Sequence, residues 1–312
     1  MTVYSYKRRK LPLKRGAVVA LGFFDGMHVA HRALLRLAGE RARIDGVPFG
    51  VFTFNTDSAI KKEESRIYSD KIRQDLITGE GADFTVTVDF SEISDMTAEN
   101  FVRDVLIEDV GVGVAVSGFN FRFGKGASGD ASELKRLMRE YGADTLICDR
   151  YEMNGVTVSS TEIRARLCDG KIEEANALLG SPYRMQGEVQ HGRGVGRALG
   201  FPTVNTVIPP SLVSLKNGVY RTAVVIDESI YTAITNVGIC PTYEKREKHA
   251  ETYIIDYKGD LYGSTLNIYF LNYLREEIRF SSENELIMQI NIDKTKTLEI
   301  FGDVKWQEFG LN

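Results

Sequence analysis

Cysteine is scarce in this 312-residue chain: Cys148, Cys168 and Cys240 form no Cys-x-x-Cys pair and no cluster with histidine. That pattern argues against a disulfide framework and a structural zinc centre, and it suits a reducing compartment. Long apolar runs are missing as well. No stretch of 18 apolar residues exists, so no segment has the length to span a bilayer as a helix. The run Ala17–Leu21 is too short for a signal-peptide core. Excess charge of one sign is also absent, since 39 Lys plus Arg face 43 Asp plus Glu and leave a net −4. Such a balance gives no overall attraction to nucleic acid or an anionic membrane, so any anion binding must come from local sites. Internal repeats and low-complexity segments are lacking too. The expectation is a soluble, cytoplasmic protein with small-molecule partners and no nucleic-acid or membrane partner; self-association stays open.

What is present is ordinary globular material, 43% hydrophobic and 26% charged, in a length that favours two domains. The first half alternates apolar runs with amphipathic segments. Strands are expected at 17–21, 49–54, 84–88, 112–116 and 144–148. Helices are expected at 31–43, 70–78, 99–108 (with Thr97 as cap) and 132–141. Strands separated by helices imply crossovers, and hence a parallel sheet covered on both faces. After Gly180-Ser181-Pro182 the pattern changes. Strands are expected at 184–190, 219–226, 231–237, 252–257 and 266–270, with turns between them and a helix only at 283–301. Consecutive strands without crossovers point to an antiparallel barrel or sandwich. The domains are therefore read as 1–182 and 183–312.

Three stretches carry chemistry. Gly22-Phe23-Phe24-Asp25-Gly26-Met27-His28-Val29-Ala30-His31 lies where the first strand gives way to the first helix. Open parallel sheets bind ligands at such junctions, and a helix N-terminus offers free N–H groups to phosphate. His28 and His31, two of only four histidines, share a face of the first turn and could meet charge developing on a phosphate. The second stretch, Ser159-Ser160-Thr161-Glu162-Ile163-Arg164, sends three hydroxyls and an arginine into a helix start, which suits phosphate oxygens but equally a plain helix cap. The third runs from His191 to Asn205 and contains Gly192, Arg193, Gly194, Gly196, Arg197 and Gly200. Its glycines admit a close ligand, and Thr203 and Asn205 place two oxygens on one strand face, as Mg²⁺ would want. Glu251 opens a further strand as a candidate general base. Gly124-Lys125-Gly126-Ala127-Ser128-Gly129 lacks the Gly-Lys-Ser/Thr ending and is not a Walker A loop.

Together these stretches resemble the bifunctional bacterial riboflavin kinase/FMN adenylyltransferases, or FAD synthetases, over nearly the whole chain. The family's G-x-F-D-G-x-H-x-G-H is met by Gly22, Phe24, Asp25, Gly26, His28 and His31. Its G-x-D-F-x-F-G is similar to Gly118–Gly124, its I-S-S-T-x-I-R to Val158–Arg164, and its G-R-x-L-G-F-P-T-A-N to Gly196–Asn205. Asn236–Thr242, Glu251 with Asp256 and Asp260–Gly263, and Leu274–Phe280 resemble the remaining kinase motifs. The resemblance implies a nucleotidyltransferase-type (Rossmann-like) α/β domain followed by an antiparallel β-barrel with a C-terminal helix. It implies two reactions: riboflavin and ATP give FMN, then FMN and a second ATP give FAD and pyrophosphate. Glu251 would be the kinase base, with Thr203 and Asn205 on Mg²⁺ and ATP phosphates and Gly192, Gly196 and Arg197 at the nucleotide. His28 and His31 would be catalytic in adenylyl transfer. There Gly22, Phe24, Asp25, Ser159, Ser160, Thr161 and Arg164 would hold nucleotide and phosphate. Asn120 and Arg275 would contact flavin.

The departures fall in the first half. Ala30 replaces a glycine between the histidines, Thr53–Ser58 lacks the family's Pro-His-Pro element, and Asn120 stands where aspartate is common. A riboflavin kinase with a degenerate first half, a non-catalytic flavin-sensing protein and another small-molecule nucleotidyltransferase are the competing readings.

Overall fold

The computed structural model describes residues 1–55, 65–191, 196, 199–239 and 248–301. The chain separates into two compact units, residues 1–66 with 70–159, and residues 67–69 with 160–312.

The first unit is built on a six-stranded parallel sheet. Its strands are β1 (Thr2–Tyr6), β2 (Ala17–Leu21), β3 (Phe49–Phe54), β4 (Phe84–Val88), β5 (Val112–Gly118) and β8 (Asp144–Cys148), in the order β1-β4-β3-β2-β5-β8. Two small hairpins complete it, β6 (Arg122–Phe123) with β7 (Gly129–Asp130) and β9 (Glu152–Met153) with β10 (Val156–Thr157). Side chains of β2 alternate between two buried layers. Ala17, Val19 and Leu21 join the core with Phe52, Val105 and Leu106, while Val18 and Ala20 pack with Leu34, Leu35 and Ala38 of the Val29–Asp45 helix. Burial on both faces explains why β2 reads as a continuous apolar run. From β2 the chain moves one way to β3 and β4 and returns to β5 on the other side. The crevice at the C-terminal ends of β2 and β5 is therefore a topological switch point, where such sheets receive ligands.

The segment expected as a helix over 99–108 is α-helical at Ala98–Asn100, capped by Thr97, and then winds as a π-helix over Phe101–Val110. The reason lies in the spacing of its apolar residues. At 3.6 residues per turn Val110 would face away from Phe101, whereas a π-wind of ~4.4 residues per turn brings both onto one face. Both are buried in the same core.

The second unit is a closed antiparallel barrel of β11 (Tyr183–Gln190), β12 (Thr203–Ile208), β13 (Gly218–Ile226), β14 (Ser229–Ile239), β15 (Lys248–Ile254) and β16 (Thr265–Arg275). Their order is β11-β12-β15-β14-β13-β16, and β16 pairs back to β11. The barrel interior contains a chain of hydroxyls: Thr222 to Thr235 at 2.8 Å and Thr235 to Thr252 at 2.9 Å, all fully buried. Residues one position along these strands therefore face outward. The Ser160–Asp169 and Ile172–Leu179 helices belong to this unit, ahead of the expected boundary at Pro182. Asn176 ties the second of them to the barrel, donating to the Phe270 carbonyl at 2.8 Å and accepting from the Tyr183 N–H at 2.7 Å. The C-terminal helix spans Glu283–Phe301.

Candidate active sites

In the barrel unit, Glu251 lies mid-strand in β15 rather than at its start, because Lys248 and His249 already pair with β14 and β12. Its ladder partners are Asn205 on β12 and Asn236 on β14, so three polar side chains form a row on the outer face. Thr203, two residues before Asn205, donates its hydroxyl to Glu251 Oε1 at 2.8 Å. That bond orients the carboxylate and leaves both Thr203 lone pairs for a further partner. Asn236 donates to Glu277 at 3.3 Å, and its Oδ1 is buried with no hydrogen-bond partner among the described residues. Beside this row is a cavity of about 270 Å³, lined by Thr203, Glu251, Asn236, Val219 and Tyr253 on the barrel and by Leu286 and Ile290 on the C-terminal helix. Arg275, at the end of β16, also lines it. Its guanidinium grips Asp293 of that helix with bonds of 2.7, 3.0 and 3.2 Å, and Asp293 is 3% exposed.

Gly196 touches the same cavity, where a Cβ would fall 2.4 Å from the Phe201 carbonyl and 3.2 Å from Thr203 Oγ1. A side chain there would push directly into the backbone that presents Thr203. Gly192 and Arg197 lie outside the described residues.

In the first unit, the Gly22–His28 loop leaves β2 and enters the Val29–Asp45 helix, which begins two residues earlier than expected because His28 is its cap. His28 Nδ1 accepts from the His31 N–H at 3.3 Å. The two imidazoles stack with ring centroids 3.6 Å apart and 14° between planes, and Phe24 meets His31 edge-on at 5.2 Å. Burial pushes the His28 imidazole down to about 4 and holds His31 well below the ordinary histidine range, with His28 as a second cause. Both rings are thus neutral near pH 7. Since His28 Nδ1 is an acceptor, its neutral ring carries the proton on Nε2, which makes Nε2–H a donor. Gly22 is fixed by packing, because a Cβ there would fall 2.8 Å from the Phe24 ring. Asp25 is 1% exposed within the same loop.

Gly22 also lines a second cavity, about 380 Å³, walled by aromatics that include Phe52, Phe54, Phe90, Phe101 and Phe121. Asn120 is not part of that wall: it is exposed, with its Oδ1 close to Gly118. Ser159 closes the first unit, and Ser160, Thr161 and Arg164 belong to the helix that opens the second.

Residues 179–301 match the riboflavin kinase family and residues 10–162 match the FAD synthetase family. The bifunctional riboflavin kinase/FMN adenylyltransferase of Escherichia coli K12 is 33% identical over 298 residues, covering 94% of this chain and 95% of that protein. The chain belongs to the bifunctional riboflavin kinase/FMN adenylyltransferase family. It is accordingly a transferase with an FAD synthetase half and a riboflavin kinase half. The bifunctional enzyme of Bacillus subtilis is 31% identical over 300 residues, covering 93% of this chain and 94% of that one. A solved structure from Streptococcus pneumoniae, described as a macrolide-efflux protein, superposes with a TM-score of 0.87 at 30% identity, over 95% of this chain and 99% of that one. The efflux description belongs to that protein; among the described residues here, no helix is long and apolar enough to cross a membrane.

Sequence reasoning missed several residues that line the barrel cavity or hold the Gly22–His28 loop. Asn236 was visible only as part of a motif, although its ladder position beside Glu251 marks it once the strands are registered. Asp293 had no signal, since one aspartate in an amphipathic helix reads as solvated. Arg73 was hidden in the same way. It is 3% exposed and donates to the carbonyls of Phe23 (2.8 Å) and Phe54 (2.6 Å).

Proposed function

We propose that the barrel transfers the γ-phosphate of ATP to the 5′-hydroxyl of riboflavin, and that the first unit then adenylylates the FMN so formed to give FAD and pyrophosphate. The observation that carries the first step is Glu251, oriented by Thr203 at 2.8 Å beside an apolar cavity. A primary hydroxyl is a poor nucleophile, and a positioned carboxylate that accepts its proton typically contributes ~10²–10⁴ in rate. The flat ring system of riboflavin would lie against Val219, Tyr253, Leu286 and Ile290, leaving the ribityl chain to reach Glu251. Asn236 Oδ1, buried without a partner among the described residues, would accept from a ribityl hydroxyl. Arg275, held by Asp293, fixes the C-terminal helix as the outer wall.

Thr203 and Asn205 fit a hard divalent cation, because they offer oxygens on one strand face beside the Glu251 carboxylate. Among the described residues no group of three or more His, Cys, Asp or Glu could hold a metal. Mg²⁺ is usually held by one or two side chains together with substrate phosphates, and Thr203 and Asn205 would supply those side chains. Bound there, it would neutralise charge on the transferring phosphoryl group. Gly196, which carries no side chain to fill the space before Thr203, would leave room for the ATP phosphates.

In the first unit the aromatic cavity would take the isoalloxazine of FMN, and the Gly22–His28 loop that touches it would meet the phosphates. His28 Nε2–H donates to an oxygen on the α-phosphorus without needing a protonated ring. His31 stacks beneath it and, as a neutral imidazole, would offer a second N–H to the same charge. Ser159, which closes this unit, would bind a phosphate oxygen, and Asn120 would contact flavin at its polar edge. The scarcity of cysteine and the balanced charge favour the cytoplasm, with riboflavin, FMN and ATP as partners. Incubating the purified chain with riboflavin, ATP and Mg²⁺ tests this reading. FMN should form first, followed by FAD with equimolar pyrophosphate. FMN without FAD would leave a kinase with a silent first half, and no product would leave a flavin-binding protein.

A further inference from the structure

We propose that Arg73 is a positioning residue for adenylyl transfer, and that with Arg32 it clamps the Gly22–His28 loop in a strained conformation that sets the histidine pair. This rests on the assignment of His28 and His31 to the adenylyl-transfer site.

The loop contains two non-glycine residues in the left-handed region, Phe24 at φ 54° and Met27 at φ 42°. Side chains rarely adopt that region, and such residues persist only where the surroundings over-determine them. Each has an arginine on an adjacent carbonyl. Arg73 donates to the Phe23 carbonyl at 2.8 Å, on the peptide that leads into Phe24. Arg32 donates to the Met27 carbonyl at 3.1 Å, on the peptide that leads into His28.

Both arginines are themselves anchored. Arg73 reaches Asp70 at 2.8 Å, the Phe54 carbonyl at 2.6 Å and Thr53 Oγ1 at 3.3 Å, and Thr53 in turn donates to the Phe23 carbonyl at 3.0 Å. Arg32 pairs with the largely buried Glu80 at 2.8 Å. A helix arginine ordinarily extends into water, so its stem covers the surface and its head stays solvated. Arg73 does the opposite and spends its fork of donors on the loop and on the end of β3. Only a guanidinium can reach four acceptors in one plane, which a lysine ammonium cannot do. The clamp fixes the loop between the aromatic cavity, which Gly22 lines, and the stacked imidazoles at the helix cap. Release would let Phe24 relax toward ordinary backbone angles and carry the ring edge that packs on His31 with it.

The test uses the full-length chain, with FAD formation from supplied FMN, ATP and Mg²⁺ measured beside FMN formation from riboflavin. Arg73→Met should lower kcat for FAD formation by ~10²-fold, the scale of a misplacement of about 1 Å at a reacting centre. The KM for FMN should stay within about threefold, as for an interaction that acts on the transition state alone. Arg73→Lys should fall between wild type and Arg73→Met, and Thr53→Val, which removes one hydrogen bond to the same carbonyl, should lose several-fold. FMN formation by the same molecules should be unchanged and reports that the chain is folded. An FAD rate in Arg73→Met within about twofold of wild type would overturn the clamp, as would a loss confined to KM. A parallel fall in FMN formation would also overturn it, as the mark of general unfolding. His31→Ala, run alongside, separates the two ideas. If it keeps full FAD formation the site assignment fails and the clamp with it; if it is impaired while the Arg73 variants are not, the clamp alone fails.

Discussion

Replacing Thr203 with valine removes one hydroxyl and nearly no volume, and it isolates the bond on which the kinase chemistry is argued to depend. Thr203 Oγ1 donates to Glu251 Oε1 at 2.8 Å, and both residues are only partly buried. A hydrogen bond to a charged group contributes roughly 1.5–3 kcal/mol. Water can partly replace the lost donor, so the lower half of that range applies, about 1.5–2 kcal/mol. At ~1.4 kcal/mol per factor of ten, kcat for FMN formation should fall roughly 10- to 30-fold. Thr203 is also proposed to lie on Mg²⁺, so the assay follows FMN formation across a Mg²⁺ titration at saturating ATP and riboflavin. Thr203→Ser, which keeps the hydroxyl, should recover most of the rate, and FAD formation from supplied FMN should not change in either variant. A Thr203→Val kcat within twofold of wild type would refute the reasoning. Full recovery in excess Mg²⁺ would show that Thr203 serves the metal and leaves Glu251 to orient itself.

Three further outcomes follow from the geometry. Asp293→Ala strips Arg275 of its partner; breaking a buried pair costs ~3–5 kcal/mol, and with Arg275 partly exposed the lower end applies. The C-terminal helix should loosen, so riboflavin Kd, read by fluorescence quenching, should rise at least tenfold while FMN adenylylation persists. Gly196→Ala should depress FMN formation alone, because its Cβ would meet the Phe201 carbonyl at 2.4 Å; an unaffected KM for ATP would contradict this. Because the folded His28 titrates at about 4 against an ordinary 6.5, the unfolded chain binds more protons between those values. The His28 contribution to stability is therefore complete above pH 6.5 and declines as pH falls toward 4, by about 2 kcal/mol at pH 5, and the lowered His31 adds in the same direction. Urea unfolding of the ligand-free protein at pH 7 and pH 5 checks this, and His28→Asn, which still caps the helix, should lessen the decline by the His28 share.

The fold was legible where burial is complete. Ala17–Leu21, Phe49–Phe54 and Phe84–Val88 are strands with the expected bounds, since apolar runs ended by turn residues leave few alternatives. β1 was not anticipated. It lies at the sheet edge, pairs only with β4 and exposes most of its side chains, so Thr2–Tyr6 carries little periodic signal. β15 begins at Lys248, ahead of the expected start near Glu251, because its first two residues are polar and owe their strand conformation to ladders on both sides. Of the site residues, Thr203 and Asn205 sharing a strand face and the two histidines sharing a helix turn follow from backbone period alone. That the kinase row faces outward does not. The interior of this barrel holds threonines, so polarity could not tell the two faces apart. Arg73 and Asp293 were illegible because the contacts that turn them inward are distant in sequence and, for Arg73, include two backbone carbonyls.

The central claim is that one chain performs two reactions at two separate sites, and a crossed assay of Glu251→Gln and His31→Ala tests it most directly. Each variant is supplied with riboflavin in one reaction and FMN in another, with ATP and Mg²⁺, and FMN, FAD and pyrophosphate are quantified. Glu251→Gln should lose most FMN formation yet convert supplied FMN to FAD at the wild-type rate. His31→Ala should make FMN normally and lose ~10²–10³ in FAD formation, the scale of removing one transition-state donor. Equal loss of both products in either variant would contradict two independent sites, and absence of FAD from the unaltered chain at saturating FMN and ATP would contradict the second activity altogether.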